Sequence, residues 1–577
     1  MTTDINIEKG EKNEGCHSET EHPLTQGELL HQHGELNRGL KSRHIQFIAI
    51  GGSIGTGLFL GIGSALTKAG PLSLLLGYTI TGVFIFVMMM SLGEMATWLP
   101  LPGALPQFCA RYVDRALGFA VGWNVWYSAA ITLCAELSAA SLIIGYWKGA
   151  EGVNVAVWIT IILVVVVLLN VFAVSIYGEA EFCFASIKVI TIVGLLIMTF
   201  IVMLGGNPQS RRLGFTYWKN PEPMKEYLAE GDLGRFLGFF TTLINAAFSF
   251  GGVEMVAVAA GEAENPRKNI PKAVRRIFWR IIFFYVLGAL AVGILVASND
   301  PRLLSAQASG TSNAAASPWV IGVQNVGISV LSSIINAVIL SSASSSANAF
   351  IYSGSRYLYA LAVNKQAPAF FLKCNKQGVP WIAVLVTSAV GLLTYLSVQK
   401  DGGAAQAFQW FQNLVTISSL FTWSCVCLAY IRFHAALKAQ GVDRDTLHLK
   451  SYFQPWAAWA ALIYFSMLII FNGFSVFMSG RWNISDFFAA YVNTLIFAVL
   501  FIAWKLIKKT KWIPSNEADI TSGKDAIDAL EEIWEDPKPR NALERFWFWL
   551  AKDFALGKVR HSYAQGRNAR SNKEYSS

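Results

Sequence analysis

Two short runs combine glycine with small or polar residues inside stretches that are otherwise apolar. The first is Gly51-Gly52-Ser53-Ile54-Gly55-Thr56-Gly57, the second Phe248-Ser249-Phe250-Gly251-Gly252-Val253-Glu254. Glycine costs about 1 kcal/mol relative to alanine in a helix interior, so both runs predict unwound backbone. Freed N–H and C=O groups in hydrocarbon are tolerated only where they line a cavity. The chemistry on offer is then that of bare main chain. A half-helix starting after Gly57 would present N–H groups and a positive dipole end to a carboxylate. The second break would offer carbonyl oxygens to an ammonium group. A pocket holding both suits a zwitterionic α-amino acid. For the first run, close helix packing through a Gly-x-x-x-Gly face is the other reading.

Ionisable side chains in the same apolar stretches add to this. Charge at the centre of a membrane helix costs about 2.5–3.5 kcal/mol on insertion scales, so such residues are functional candidates. Glu254 follows the second break directly, and Glu136 lies among Cys134, Ala135 and Leu137. Either carboxylate could carry a proton, or simply hold a hydrogen bond. Lys188 reads as a fixed cation or as a lysine whose stem snorkels to the membrane edge, and the second is expected. Glu94, Glu179 and Glu181 are expected at interfaces. Phe248 and Phe250 either cover a bound substrate or fill space. The polar run Ser341 to Asn348 suits tight helix packing or one wall of a wet cavity, and Thr416, Ser418 and Ser419 are similarly ambiguous.

The elements that would position these groups follow from composition. Of the 577 residues, 54% are hydrophobic and 14% charged, against roughly 25% charged in soluble domains. A soluble enzyme, a disordered scaffold and a nucleic-acid-binding protein are excluded; the net charge of +9 sits at the ends of apolar runs. About twelve apolar stretches reach bilayer length: 45–69, 72–97, 117–146, 154–174, 182–204, 236–260, 277–297, 323–360, 380–398, 406–432, 455–478 and 486–507. The eighth is overlong, so only part of it spans. Each must be helical. Five spans separate the two breaks, which therefore occupy equivalent places in two five-helix halves. Paired interrupted helices of this kind point to an inverted-repeat transporter with its site at the midplane. The Lys and Arg of alternate short loops, including Arg111, Arg115, Arg267, Lys268 and Arg432, place both tails in the cytoplasm; the loop 205–235 carries basic residues on the outer side. Seven scattered cysteines predict neither a disulfide framework nor a metal site. The polar stretch from Met1 to Arg43 lacks the apolar core of a signal peptide.

The residues also resemble a known family. Arg43-His44-Ile45-Gln46 with Gly51 to Phe59 resembles the opening of fungal amino acid permeases, as do Gly93-Glu94-Met95-Ala96, Arg111-Tyr112-Val113-Asp114 and Gly118-Phe119-Ala120. Gly261-Glu262-Ala263-Glu264-Asn265-Pro266-Arg267-Lys268 with Ile270-Pro271 is similar to the family signature after the sixth span. The resemblance runs from about Leu36 to Trp512. It implies membership of the amino acid–polyamine–organocation superfamily: an all-α polytopic membrane protein of about twelve helices, a five-plus-five inverted repeat (LeuT-like) with broken helices 1 and 6, and proton symport at the plasma membrane. It places the substrate carboxylate on N–H groups of Gly55, Thr56 and Gly57, and the ammonium on carbonyls around Ser53, Phe248 and Gly251. Phe248 matches an aromatic gate and Glu254 a sixth-span glutamate given the proton-coupling role. Glu136 matches a third-span glutamate found in permeases of differing specificity. Thr416 lies near a tenth-span position that influences side-chain choice in relatives.

The expected organisation is a cytoplasmic tail 1–44, a first half 45–204, an outer loop 205–235, a second half 236–432, a loop and two further spans over 433–507, and a cytoplasmic tail 508–577. Lys9 and Lys12 suit ubiquitin ligase machinery acting on the tails. Relatives often end in a lipidated Phe-Trp-Cys, where this chain reads Phe546-Trp547-Phe548-Trp549 without the cysteine. The reading is a plasma-membrane permease importing L-amino acids of broad or neutral type by proton symport. It has no cofactor beyond the coupling proton, no metal and no nucleic-acid partner. An amino acid sensor with little net transport is the alternative. A membrane enzyme would need a convergent constellation, and five of the eight histidines, His17, His22, His31, His33 and His44, cluster in or beside the N-tail instead.

Overall fold

The computed structural model describes residues 52, 54–101, 103–147, 149–172, 174–256, 265–308, 317–375, 377–398, 403–525 and 527–528. All lie within the unit Leu36–Ser577. Helices dominate, because each pass must satisfy its own backbone groups. A π-type turn over Gly57–Gly61 leads into α1 (Ile62–Trp98), which bends into two spans at Gly70 and Pro71. Gly70 takes φ +82°, and proline cannot continue the hydrogen-bond ladder. The loop 205–235 seals this bend: Leu72 N–H donates to Pro223 O and Lys225 N–H to Ala69 O, each at 2.9 Å.

Helix α2 (Arg115–Ile144) opens on Asp114, whose side chain caps Ala116 N–H at 2.8 Å. Helices α3 (Val155–Phe172), α4 (Val174–Leu204) and α5 (Gly231–Ser249) follow. Then come α6 (Pro266–Leu295), α7 (Ser329–Val363), α8 (Trp381–Val398) and α9 (Gly403–Ala439). Helices α10 (Trp456–Phe471) and α11 (Ile484–Lys508) complete the set. With α1 counted as two passes and α5 as half of an interrupted sixth, the described residues make twelve passes. The overlong stretch divides physically: Pro318–Asn325 is a separate short helix, and Gly327 at φ +83° turns the chain into α7.

Burial sorts the helices. The most apolar windows of α2 and α9 are 94% and 83% buried, whereas those of α4 and α11 are 28% and 22%. So α2 and α9 form the centre, and α4 and α11 turn Ile190, Ile197, Leu495 and Ile502 outward as a lipid-facing belt would. Two packing groups result. Helix α1 packs chiefly on α5 and α6, and α2 chiefly on α7 and α9.

Candidate functional site

Both sequence breaks are breaks in the structure, and they abut. Gly52 is helical, Ile54 and Gly55 are not, and helix resumes at Thr56. Helix α5 stops at Ser249, and turns run to Glu254, with Gly251 N–H donating to Phe248 O at 3.0 Å. Three glycines permit the contact. A Cβ on Gly57 would lie 2.7 Å from Ser249 Cα, one on Gly52 2.2 Å from Met255 Sδ, and one on Gly252 2.8 Å from Gly52 O. Gly252 also sits at φ +87°, a conformation that a side chain disfavours.

Neighbouring helices satisfy the carbonyls that the first break releases. Ser342 Oγ donates to Ile54 O at 3.1 Å, Trp319 Nε1 to Leu58 O at 3.2 Å, Ser317 Oγ to Phe59 O at 2.9 Å and Asn245 Nδ2 to Gly61 O at 3.0 Å. Tyr78 O–H in turn donates to Asn245 Oδ1 at 3.1 Å and shares a 2.7 Å bond with Ser249 Oγ. Three otherwise separate strands of chain thereby hold one another in place.

Between the breaks lies a small cavity. Gly52, Gly55 and Gly57 line it from the first break, and Phe248, Ser249 and Gly251 from the second. Thr132 and Glu136 of α2, Phe350 of α7 and Val415 of α9 close it. Its volume open to water centres, about 20 Å³, suits on the order of one water, so an amino acid would need the helices to part. Glu136, 3% exposed, accepts from Thr56 N–H at 3.3 Å and from Ser346 Oγ at 3.0 Å through Oε1. The N–H that family resemblance assigns to a substrate carboxylate thus has an internal acceptor.

The expected residues therefore divide. Gly55, Gly57, Glu136, Phe248 and Gly251 line the cavity and Thr56 borders it, while Ser53 lies outside the described residues. Thr416 is buried, but its hydroxyl donates back to Gln412 O at 2.7 Å, and its neighbour Val415 reaches the cavity. Glu254 is half-buried below the break and accepts from Trp423 Nε1 at 3.2 Å. Three lining residues outside the two runs were missed: Thr132, Phe350 and Val415. Two had a signal: Thr132 is one turn before Glu136, and Phe350 one turn after Ser346, so each shares a helix face with it. The polar run in α7 is a wall against the first break rather than mere packing, since Ser342, Ser345 and Ser346 bond Ile54 O, Glu181 and Glu136.

Two expectations fail on burial, and a third is completed by it. Lys188 does not snorkel: it is fully buried within electrostatic reach of Glu181 and Glu136. Glu181 is not interfacial, because α4 begins at Val174 and carries it inside, where it accepts from Ser345 Oγ at 2.8 Å. Glu94 stands near the end of α1 as expected, but covered by protein: it is fully buried and bound by Arg444 Nη2 at 2.7 Å and Tyr430 O–H at 2.6 Å. Lys9, Lys12, Glu262 and the stretch Phe546 to Trp549 lie outside the described residues.

Comparison with known proteins bears on the same features. The family model described as amino acid permease matches residues 44–516. A proline-specific permease of Emericella nidulans is 44% identical over 92% of this chain and 96% of its own length. A probable proline-specific permease of Schizosaccharomyces pombe is 47% identical over 87% and 90%. A lysine-specific permease of Saccharomyces cerevisiae is 40% identical over 95% and 85%. Among solved structures, a manganese transporter of Eremococcus coleocola superposes with TM-score 0.55 at 14% identity, over 81% of this chain and 94% of that one, a likeness of fold.

Proposed function

The chain belongs to the amino acid permease family, a multi-pass membrane transporter rather than an enzyme, and from that premise we propose that it imports small neutral L-amino acids, proline among them, together with protons across the plasma membrane. The observation that carries this is the meeting of two broken helices around one cavity. Main-chain groups there suit a zwitterion. Among the described residues that line the cavity, Glu136 is the one ionisable group, and its Oε1 is engaged by Thr56 and Ser346. An acidic substrate side chain would meet no cation among those lining residues, while Thr132, Phe248, Phe350 and Val415 offer a compact, mostly apolar chamber. Relatives named for proline support that choice, and both termini are read as cytoplasmic.

For the coupling proton, Glu254 stands next to the break and touches α9 through Trp423. Its protonation would favour closure and inward opening, a shift between two states. Labelled proline uptake in cells lacking their own permeases tests the reading, with a panel of unlabelled amino acids as competitors at two pH values. Proline and other small neutral amino acids should compete, and uptake should rise at the lower pH. Equal competition by lysine or glutamate would overturn the specificity. Glu254→Gln should keep substrate binding and flatten the pH dependence; wild-type dependence in that variant would move the role elsewhere.

A further inference from the structure

Beyond α11 the described residues stay against the fold. Lys509 adopts the left-handed conformation and turns the chain back, and residues 510–525 with 527–528 run across the ends of the helices on the side where α11 ends. Ala518, Ile520 and Ile527 are buried there. What matters is which helices this strap touches, because they belong to both packing groups.

Toward the α2 and α9 group, Ile513 N–H donates to Val113 O at 2.9 Å, and Arg111 Nη1 donates to Ser522 O at 2.9 Å and pairs with Asp519 at 3.3 Å. Gln440, just past α9, donates to Ala518 O at 2.7 Å. Toward the α1 and α6 group, Trp98 Nε1 donates to Ile520 O at 2.8 Å, Lys524 lies 4.9 Å over the Trp98 ring, and Arg267 at the start of α6 pairs with Asp528.

We propose that the described residues of this strap, 509–525 and 527–528, form a latch that holds the two helix groups together on the side where α11 ends, and that its release is a step in opening the cavity to that side. The argument is geometric. Substrate at the midplane can leave toward the termini only if the helix ends part, and one segment bonded to both groups cannot keep both sets of contacts when they do. The latch is formed by a handful of hydrogen bonds, mostly from side chains to its backbone, exposed at Arg111 and buried at Trp98, with a few buried apolar anchors; so small a set of contacts suits a segment that opens locally without global unfolding. It acts as a coupling free energy between the tail and the transport site. This rests on the reading that substrate exits on the side of the termini.

A reversible tether tests it. Gln440→Cys with Ser515→Cys places thiols across the strap's contact with the end of α9, the 3.2 Å bond from Gln440 Nε2 to Ser515 O, and Arg267→Cys with Asp528→Cys places them across its contact with α6. A short cleavable bis-methanethiosulfonate should lower proline uptake at least tenfold in the quadruple variant, where the strap is fixed to both groups, and reduction should restore it; either pair alone leaves one contact free to release and should be unaffected by the reagent. Undiminished uptake by the tethered chain would overturn the latch. In a second arm, Asp519→Ala should raise labelling of Thr132→Cys by a membrane-impermeant thiol reagent at least threefold in inside-out vesicles and leave right-side-out labelling unchanged. No rise would also count against it. Uptake by the untreated native chain is the separate check on the transport reading.

Discussion

Gly57 is fixed by what its missing side chain would strike. A Cβ there meets Ser249 Cα at 2.7 Å, and backbone cannot rotate away as a flexible side chain can, whereas a Cβ on Gly194 meets nothing within 4 Å. Gly57→Ala should therefore cut uptake more than tenfold at unchanged surface expression, while Gly194→Ala leaves uptake within about a factor of two, consistent with its small helix-propensity gain; labelled uptake normalised to surface protein decides. Lys188 makes a second case. Removing one member of a buried charge cluster leaves the other uncompensated, at about 3–5 kcal/mol. Lys188→Met alone should lower the melting temperature of the purified protein markedly, and adding Glu181→Gln should recover most of the loss, since the two neighbours are then reduced to Glu136. No recovery in the double variant would mean that Glu181 is not the principal partner. The sequence contained half of this: Glu181 and Lys188 are seven apart, two turns on one helix face. It did not reveal that the face turns inward, because both side chains read equally well at an edge.

At the scale of elements, the helix ends on the side where α11 ends are held by polar ties whose members come from different helices. Glu94 of α1 is bound by Arg444, Tyr430 and Ser451, all from α9 or the loop after it. Asp114, capping α2, accepts from Thr510 at 2.7 Å and pairs with Lys505 of α11 at 2.5 Å. Burial pushes the Asp114 carboxyl up, but Lys505, the Ala116 N–H and Thr510 together outweigh it and hold the group below its ordinary value of 3.8. A depressed carboxylate contributes stability above its unfolded value and loses it as pH falls through the folded one. The melting temperature of Asp114→Asn should accordingly sit several degrees below wild type from pH 5 to 8, and the gap should close only below about pH 4. A gap that narrows between pH 6 and 7 would assign the effect to another group. Span positions were legible here because hydrocarbon admits little besides apolar helix, and the Gly70-Pro71 bend because both residue types dictate it. The ties were not legible, since Glu94 and Arg444 are separated by most of the chain and meet only after α1 and α9 have packed.

In the whole molecule, the pairing of the two breaks was readable because each is a local cost that the sequence repeats at the same place in both halves. The rest of the cavity was only partly so: Thr132 and Phe350 sit one turn from Glu136 and Ser346, but Val415 reaches it through a rotation of α9 that only packing decides. Their placement gives the cavity two aromatic ends. Phe248 packs edge-on against Phe408 at 6.1 Å, near the start of α9 and away from the termini. Phe350 lies roughly six turns into α7, toward the termini, where it packs with Ala129 and Met255 and its Cζ is 3.1 Å from the position of a Gly252 Cβ. If the two helix groups rock about a site at the midplane, each ring blocks one exit. Phe248→Ala should then raise labelling of Thr132→Cys by an impermeant thiol reagent in right-side-out vesicles, and Phe350→Ala should raise it in inside-out vesicles, each several-fold and each leaving the other side unchanged. A general loosening of the core would raise both sides together in either variant, so only the crossed pattern supports two gates, and it does so without reference to how fast either variant transports.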